Sequence, residues 1–89
     1  MPESWHVYIL KCGDGSLYTG IARDVKARIK RHNQSRGARF TRGRGPVQLM
    51  YCESLFDKAG ALRREREIKQ LSRHNKERLI KRRVPLVAE

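Results

Sequence analysis

Hydrophobic and polar positions alternate in short stretches along the first half of the chain, which predicts strands. Residues 5–12 are mostly apolar at both sets of alternating positions, as is typical of a central strand covered on each face. Residues 13–16, Gly-Asp-Gly-Ser, are a strong turn signal, and residues 17–22 then predict a second strand antiparallel to the first. A third apolar run, residues 47–54, predicts a further strand.

Two stretches between and after these strands have helical spacing. Asp24 is placed to cap a helix over residues 25–33, because an aspartate before an amphipathic run accepts hydrogen bonds from the first turn. Asp57 is placed in the same way before a second helix, residues 58–72. The apolar stripe of this second helix is predicted to consist of Ala61, Leu62, Ile68 and Leu71.

The end of the chain predicts a short third helix over residues 76–81, with Leu79 and Ile80 as its anchors in the core. Pro85 is expected to end regular structure, because proline lacks a backbone N–H and disfavours helix before it. Residues 82–89 are therefore expected to be loosely held.

The length of 89 residues predicts a single domain, residues 1–89, with its core within residues 5–81. No stretch approaches the ~20 apolar residues that span a bilayer, and the start of the chain lacks the pattern of a signal peptide. We therefore expect a cytoplasmic protein with no membrane partner. Cys12 and Cys52 are expected to be thiols buried on separate strands.

Positive charge dominates the composition. Lysine and arginine total 21 residues against 9 acidic residues, which gives a net charge of +12 and a pI near 10.7. A small domain this basic repels itself unless it works against a polyanion, so a nucleic acid is the favoured partner. A ribosome-associated or merely solvated basic surface is the alternative. No helix combines a basic face with a broad aromatic one, which argues against binding to an anionic membrane.

Residues 33–46 form a predicted loop in which every charge is positive. Glycine allows backbone amides to approach a phosphate closely, arginine binds phosphate oxygens, and phenylalanine can stack on an exposed base. The loop is therefore predicted to contact nucleic acid, and the alternative is a solvated loop without that role. Its candidate binding residues are Arg36, Arg39, Phe40, Arg42 and Arg44.

Ionisable side chains occupy positions where the helices should be apolar. In the first helix, Arg28 and His32 share the inward spacing of its apolar residues, and Glu65 lies within the apolar stripe of the second helix. Burying unpaired charges costs several kcal/mol each, so these groups must neutralise one another or line a pocket. One alternative is a structural Arg28–Glu65 ion pair with a separately satisfied His32, and the other is a functional site.

Two tyrosines on the predicted hairpin favour the functional interpretation. A single strand tyrosine is usually a core residue, but Tyr8 and Tyr18 accompany Gly20, a glycine that weakens a strand unless something approaches its backbone. Together with the ionisable groups they suit phosphoryl chemistry, which needs an activated water and neutralisation of charge on the phosphate. A lone carboxylate suits a magnesium ion, which keeps much of its hydration.

The ordered set of these motifs resembles the GIY-YIG nuclease superfamily, also called the URI domain, and within it the small stand-alone bacterial members of uncharacterised function. Residues 6–8, His-Val-Tyr, match the first motif, and residues 18–20, Tyr-Thr-Gly, match the second. Arg28 follows at the family's spacing, with His32 one turn later. Residues 61–65, Ala-Leu-Arg-Arg-Glu, match the helix that bears the family's metal-binding glutamate, so the resemblance covers nearly the whole chain.

The resemblance implies an α+β fold, a three-stranded antiparallel sheet flanked by helices in the order β-β-α-β-α-α. Glu65 would be the only protein ligand of one divalent cation, Mg²⁺ or Mn²⁺. His6 stands where the first motif has its glycine, and Thr19 where the second has isoleucine. Neither position carries a side chain that performs chemistry, so both departures are expected to be tolerated.

The resemblance also implies roles for the other site residues. Tyr8 would activate the attacking water, aided by His32, and Arg28 would stabilise the negative charge that develops on the phosphate. Tyr18 would orient the water or contact the phosphate, and Gly20 would leave space beside the site.

Three functions follow from these patterns. The first is a metal-dependent endonuclease that hydrolyses phosphodiester bonds, with DNA favoured over RNA and structure favoured over sequence as the feature it recognises. The second is a basic nucleic-acid-binding module with a vestigial site. The third, a module for a protein partner, is the least supported because the sequence shows no clear apolar surface patch.

Overall fold

The computed structural model describes residues 4–34 and 42–87, with side chains described as far as residue 82. It contains three antiparallel strands and three helices in the predicted order, which confirms the α+β architecture. The elements are β1 (Trp5–Lys11), β2 (Leu17–Ala22), α1 (Val25–Asn33), β3 (Gln48–Leu55), α2 (Lys58–Lys69) and α3 (Arg73–Val87).

The strand order of the sheet is β2-β1-β3, so β1 is the central strand, as its two apolar faces predicted. Tyr8 of β1 lies opposite Gly20 of β2 on one side and opposite Cys52 of β3 on the other. An irregularity in the pairing of β1 with β3 falls between Ile9 and Leu10. Residues 7–10 are fully buried, which places the centre of the domain at the middle of this strand.

The two faces of the sheet support two separate apolar clusters. One cluster packs beneath α2 and α3 and contains Val7, Ile9, Tyr51, Ala61, Ile68 and Ile80. The other packs against Val25 and Ile29 of α1 and contains Tyr8, Leu10, Cys12, Ala22 and Val47. Because alternate residues of a strand point to opposite faces, Tyr8 lies on the α1 side of the sheet while its neighbours Val7 and Ile9 lie on the α2 side.

Both predicted aspartate caps are confirmed. The side chain of Asp24 accepts a hydrogen bond from the backbone N–H of Ala27 at 3.0 Å, at the start of α1. Asp57 accepts one from the backbone N–H of Gly60 at 2.8 Å, at the start of α2. Each cap satisfies a first-turn N–H that has no partner within the helix and so fixes the residue at which the helix begins.

Two details of the helices differ from the predictions. The third helix extends over Arg73–Val87, so the expectation that Pro85 ends regular structure was wrong; a proline in the last turns removes a single backbone donor. Leu79 and Ile80 nonetheless pack in the core as predicted. Leu62 is 41% exposed rather than part of the buried stripe, because α2 turns the line from Ala61 to Ile68 toward the sheet.

Thr19 is buried opposite Ile9 in β1. Among the buried side-chain atoms that the structure describes, its Oγ1 is the one without a hydrogen-bond partner. An unsatisfied buried hydroxyl costs about 1–3 kcal/mol, so threonine at this position is a stability cost.

Cys12 is buried and Cys52 is half-buried, and within the described residues neither forms a disulfide. Across the described ranges, no helix has both the length and the apolar character needed to cross a bilayer.

Candidate active site

A buried tyrosine and a buried histidine form the centre of the candidate site. Tyr8, on the central strand, is fully buried, and its hydroxyl lies 3.1 Å from Nε2 of His32 on α1. Tyr18, on β2, completes a cluster of three rings, with its centroid 5.2 Å from that of His32 and 6.3 Å from that of Tyr8. Three segments that are separate in the sequence therefore bring two phenols and an imidazole together.

Gly20 is the residue over which the tyrosines pack. A Cβ atom added at Gly20 would lie 2.7 Å from the hydroxyl oxygen of Tyr8 and 2.9 Å from its Cζ. It would also lie 3.0 Å from Cε2 of Tyr18. These are rigid ring atoms, so the position cannot accept a side chain without moving the site. The close approach inferred for Gly20 is made by the two tyrosine rings.

We expect Gly20→Ala to reduce cleavage about 100-fold, because a displacement of about 1 Å at a catalytic group is enough for such a loss. Overpacking should also cost about 1–3 kcal/mol of folding free energy. Single-turnover cleavage and thermal unfolding measure the two effects. Gly60→Ala is the matched control, since its Cβ would come no closer than 3.2 Å to another group, the Asp57 side chain. Equal cleavage by the Gly20→Ala variant and the wild type would contradict this packing role.

The first helix presents His32 to the site but leaves Arg28 in solvent. Val25, Ile29 and His32 follow one another at spacings of four and three residues, and these form the face of α1 that packs inward. Arg28 lies beside this line and is exposed, so the prediction that it occupies a buried position was wrong. Its charge still lowers the pKa of Tyr8, which places Arg28 at the rim of the site.

Glu65, on α2, is largely shielded from solvent and acts electrostatically on both tyrosines. Its side chain is 18% exposed, whereas that of Glu67 is 66% exposed, which confirms the contrast predicted between them. Its negative charge raises the pKa of Tyr8 and of Tyr18, so the carboxylate is within electrostatic range of both phenols. The ion pair of Glu65 within the described ranges is with Lys69, at 3.3 Å, and not with Arg28 as the structural alternative required.

Burial sets the protonation of the central pair. It raises the pKa of Tyr8 far above the ordinary value of a phenol, and the charge of Glu65 acts in the same direction. Burial lowers the pKa of His32, and the positive charge of Arg28 lowers it further. Both groups are therefore neutral at pH 7, and the phenol O–H can donate to the imidazole nitrogen.

The side chains near the site that could bind a metal ion fit one kind of ion. In the part of the chain that the structure describes, no three His, Cys, Asp or Glu side chains converge as a structural zinc site requires. Nearby Glu53 and Glu67 both contact Arg64, each at 3.1 Å, and Glu65 is the carboxylate whose charge acts on both tyrosines. One carboxylate fits a hydrated Mg²⁺ or Mn²⁺ ion, which takes its remaining ligands from water and substrate phosphate.

The end of the glycine-rich loop is fixed to the hairpin and to α1. Arg44 pairs with Asp14 of the turn, with Nη1 and Oδ2 2.6 Å apart, and its carbonyl accepts a hydrogen bond from the N–H of Gly13. The side chain of Asn33 accepts a hydrogen bond from the N–H of Val47 at 2.7 Å. These contacts hold residues 42–47 beside the end of α1. The sequence carried no signal for the Asp14–Arg44 pair, whose members lie 30 positions apart.

A cavity of about 360 Å³ lies between this loop and His32. Its lining includes Gly43 and Gly45, which belong to the loop predicted to contact phosphate, and Asn33 and Pro46, for which the sequence predicted no separate role. The cavity gives the imidazole side of the site access to a ligand of nucleotide size.

Of the five loop residues predicted to bind nucleic acid, the structure describes two. Arg42 and Arg44 are exposed beside the cavity, and Arg44 is also in the ion pair with Asp14. Arg36, Arg39 and Phe40 lie outside the described residues, so their predicted contacts remain predictions.

The family model of the GIY-YIG catalytic domain matches residues 4–78 of this chain. A UPF0213 protein of Staphylococcus aureus (strain Mu3) is 54% identical over 81 residues, which cover 91% of this chain and 99% of that protein. Another strain, Mu50, has a UPF0213 protein with the same identity and coverage.

Two solution NMR structures resemble the fold. A UPF0213 protein from Bacillus halodurans is 49% identical with a TM-score of 0.57, and the match covers 88% of this chain and 83% of that one. A protein from E. faecalis is 34% identical with a TM-score of 0.61 and the same two coverages. The match to the domain model over most of the chain, together with these relatives, shows that this protein belongs to the GIY-YIG catalytic domain family and, within it, to the small bacterial UPF0213 proteins.

Proposed function

We propose that this protein is a metal-dependent endonuclease that hydrolyses nucleic-acid phosphodiester bonds, with DNA as the favoured substrate. Membership of the GIY-YIG family implies a nuclease-like activity. The observation that carries the proposal is the buried hydrogen bond between Tyr8 and His32, which lies over Gly20 and within electrostatic range of Glu65. A protein does not gain stability by burying this many polar groups together, which favours a functional reason for their placement.

The neutral pair provides a route for the proton of the attacking water. Tyr8 accepts a proton from water as its own proton passes to Nε2 of His32, so no free phenolate has to form in the buried site. The raised pKa of Tyr8 and the lowered pKa of His32 set the starting state of this route, in which both groups are neutral. Tyr18, beside both rings, orients the water or the phosphate.

In this proposal two positive groups neutralise the charge on the reacting phosphate. Arg28, at the solvent rim, is a guanidinium that can bind phosphate oxygens without first being released from a buried position. Glu65 would hold one Mg²⁺ or Mn²⁺ ion, which would be the second positive group. When bound, that ion supplies positive charge to the phosphate and lowers the pKa of a water molecule.

The substrate preference is proposed from where the positive charge lies. Arg42 and Arg44 flank a cavity suited to backbone phosphate, and such contacts position a strand without reading its bases. We therefore propose that the enzyme recognises a structural feature of the nucleic acid, such as a junction or an unpaired segment, and not a base sequence.

The rate of cleavage should fall as pH decreases through the lowered pKa of His32. Above that pKa the imidazole is neutral and accepts the proton of Tyr8, and below it the imidazole is protonated and cannot. We therefore expect an acid limb with its midpoint below 6.5, the ordinary value for histidine. His32→Gln should lower the rate and remove this limb, whereas His74→Gln, on the exposed surface of α3, should keep it. An unchanged profile in His32→Gln would contradict the proton route.

The test of the proposed function is a cleavage assay across labelled DNA and RNA of defined form: single strand, duplex, nicked duplex, flap and four-way junction. The proposal predicts cut products with Mg²⁺ or Mn²⁺ and none after chelation with EDTA. Salt-dependent binding to these substrates without products under either metal would support the non-catalytic binding module instead.

A further inference from the structure

Trp5, at the start of the central strand, holds two cationic side chains against its ring. The guanidinium carbon of Arg23 lies 5.8 Å from the ring centroid, and Nζ of Lys58 lies 5.4 Å from it. Arg23 directly follows β2, and Lys58 is the first residue of α2. Cation–π contacts therefore gather positive charge from two elements at one end of the sheet.

An exposed aromatic residue lies next to this cluster in the sequence. Leu55 is paired with Trp5 in the sheet, and Phe56, the next residue, is 82% exposed. The other large hydrophobic residues that the structure describes as exposed, Leu49 and Leu62, are only 42% and 41% exposed. Phe56 precedes Lys58 by two residues, and at this exposure its ring is open to stacking by a ligand held at the cationic cluster.

This cluster packs on the α2 side of the sheet, the side of the helix that carries Glu65, and two elements connect it to the candidate active site. Arg23 follows Gly20 by three positions, and a strand rises about 3.3 Å per residue, so the two lie about 10 Å apart along the chain. Lys58 precedes Glu65 by seven residues on α2, which places both on the same face about 10 Å apart at about 1.5 Å per residue. A nucleic-acid strand bound at the candidate site would need to extend only a short distance to reach the cluster.

We propose that Trp5, Arg23, Phe56 and Lys58 form a platform that binds an unpaired segment of nucleic acid flanking the cleaved bond. This inference rests on the proposed function, because it supplies the flanking segment of that substrate. Arg23 and Lys58 bind backbone phosphates, and Phe56 stacks on an unpaired base. The segment is single-stranded because a base presents its face to a protein ring only when it is not stacked within a duplex.

Trp5 is the only tryptophan of the chain, so its fluorescence reports directly on the platform. Titration of Glu65→Gln with a single-stranded oligothymidylate in EDTA should produce saturable quenching, whereas a duplex of the same length should bind at least tenfold more weakly. Phe56→Ser should weaken single-strand binding about tenfold, as loss of one base stack predicts, and Phe56→Tyr should restore it. Leu49→Ser, on the same strand as Leu55 but at its other end, is the matched control and should bind as the parent does.

Binding without metal and in a variant of Glu65 separates this inference from the proposed function. If the wild type cuts nucleic acid but Phe56→Ser leaves quenching unchanged, the platform is overturned and the nuclease is not. If single strands bind as predicted and no substrate is ever cut, the platform stands and the nuclease fails. If duplex quenches the fluorescence as strongly as the single strand does, or if no oligonucleotide quenches it, the platform is overturned. A protein would then be the partner to test for this surface.

Discussion

Glu65→Gln is expected to reduce metal-dependent cleavage by at least about 100-fold, since it removes the charge that we propose holds the cation. The fold should survive, because the Lys69 pair that is lost is a partly exposed helix pair with a side-chain exposure of 54% at the lysine. Such pairs contribute only about 0.3–0.5 kcal/mol. Single-turnover cleavage at increasing Mg²⁺ or Mn²⁺ concentration measures the loss, and thermal unfolding verifies the fold.

Glu67→Gln is the matched control for this variant. Glu67 lies two residues further along the same helix, 66% exposed and paired with Arg64. Neutralising it changes the net charge of the protein equally but leaves the site untouched, so cleavage should remain within about twofold of wild type, as for a surface substitution of little effect. Similar losses in both variants would show that general charge, and not a site carboxylate, controls the reaction.

Tyr8→Phe is expected to reduce cleavage by about 10²–10⁴-fold, the range typical for removal of a positioned proton-transfer group. The ring remains in the apolar cluster and the hydroxyl is lost, so Nε2 of His32 loses its partner at 3.1 Å. Loss of this buried hydrogen bond should lower stability by about 0.5–1.5 kcal/mol. The measurement is the rate of a single turnover at saturating enzyme, with substrate affinity determined separately.

Tyr51→Phe distinguishes a site phenol from a structural one. Tyr51 is buried on the other face of the sheet, where its hydroxyl donates to Glu53 at 2.5 Å. Loss of this hydroxyl should affect stability by a similar amount while leaving the rate of cleavage close to wild type. A Tyr8→Phe variant that cuts as fast as Tyr51→Phe would remove Tyr8 from the chemistry.

The helices and strands could be predicted because capping residues and hydrophobic spacing, which are local in sequence, determine where they form. The two aspartate caps fixed where α1 and α2 begin, and the doubly apolar run of residues 5–12 identified the central strand. Glu65 was separated from Glu67 by helical spacing alone, and their exposures of 18% and 66% confirm that distinction. The burial of Arg28 and Leu62 was predicted wrongly. Both lie at the edge of the apolar face of a helix, and whether such a residue is buried depends on how the helix is rotated against the sheet.

Contacts between segments that are distant in the chain could not be predicted from the sequence. Nothing local indicates that the hydroxyl of Tyr8 lies above Gly20, because that contact depends on strand register and on the tilt of a ring. The pairing of Arg44 with Asp14 likewise depends on where a loop returns to the hairpin. The family resemblance named the residues of the site in order, and the structure adds the hydrogen bond to His32 and the packing that holds it.

The central claim is that Glu65 brings a metal ion to the same place as the two tyrosines. The most direct test is paramagnetic broadening of the protein's NMR resonances by substoichiometric Mn²⁺. The account predicts that the resonances of Tyr8, Tyr18 and Gly20 broaden with those of Glu65, and that Glu65→Gln abolishes the effect. Broadening centred on Glu53 or Glu67, or broadening at the tyrosines that survives in Glu65→Gln, would contradict it.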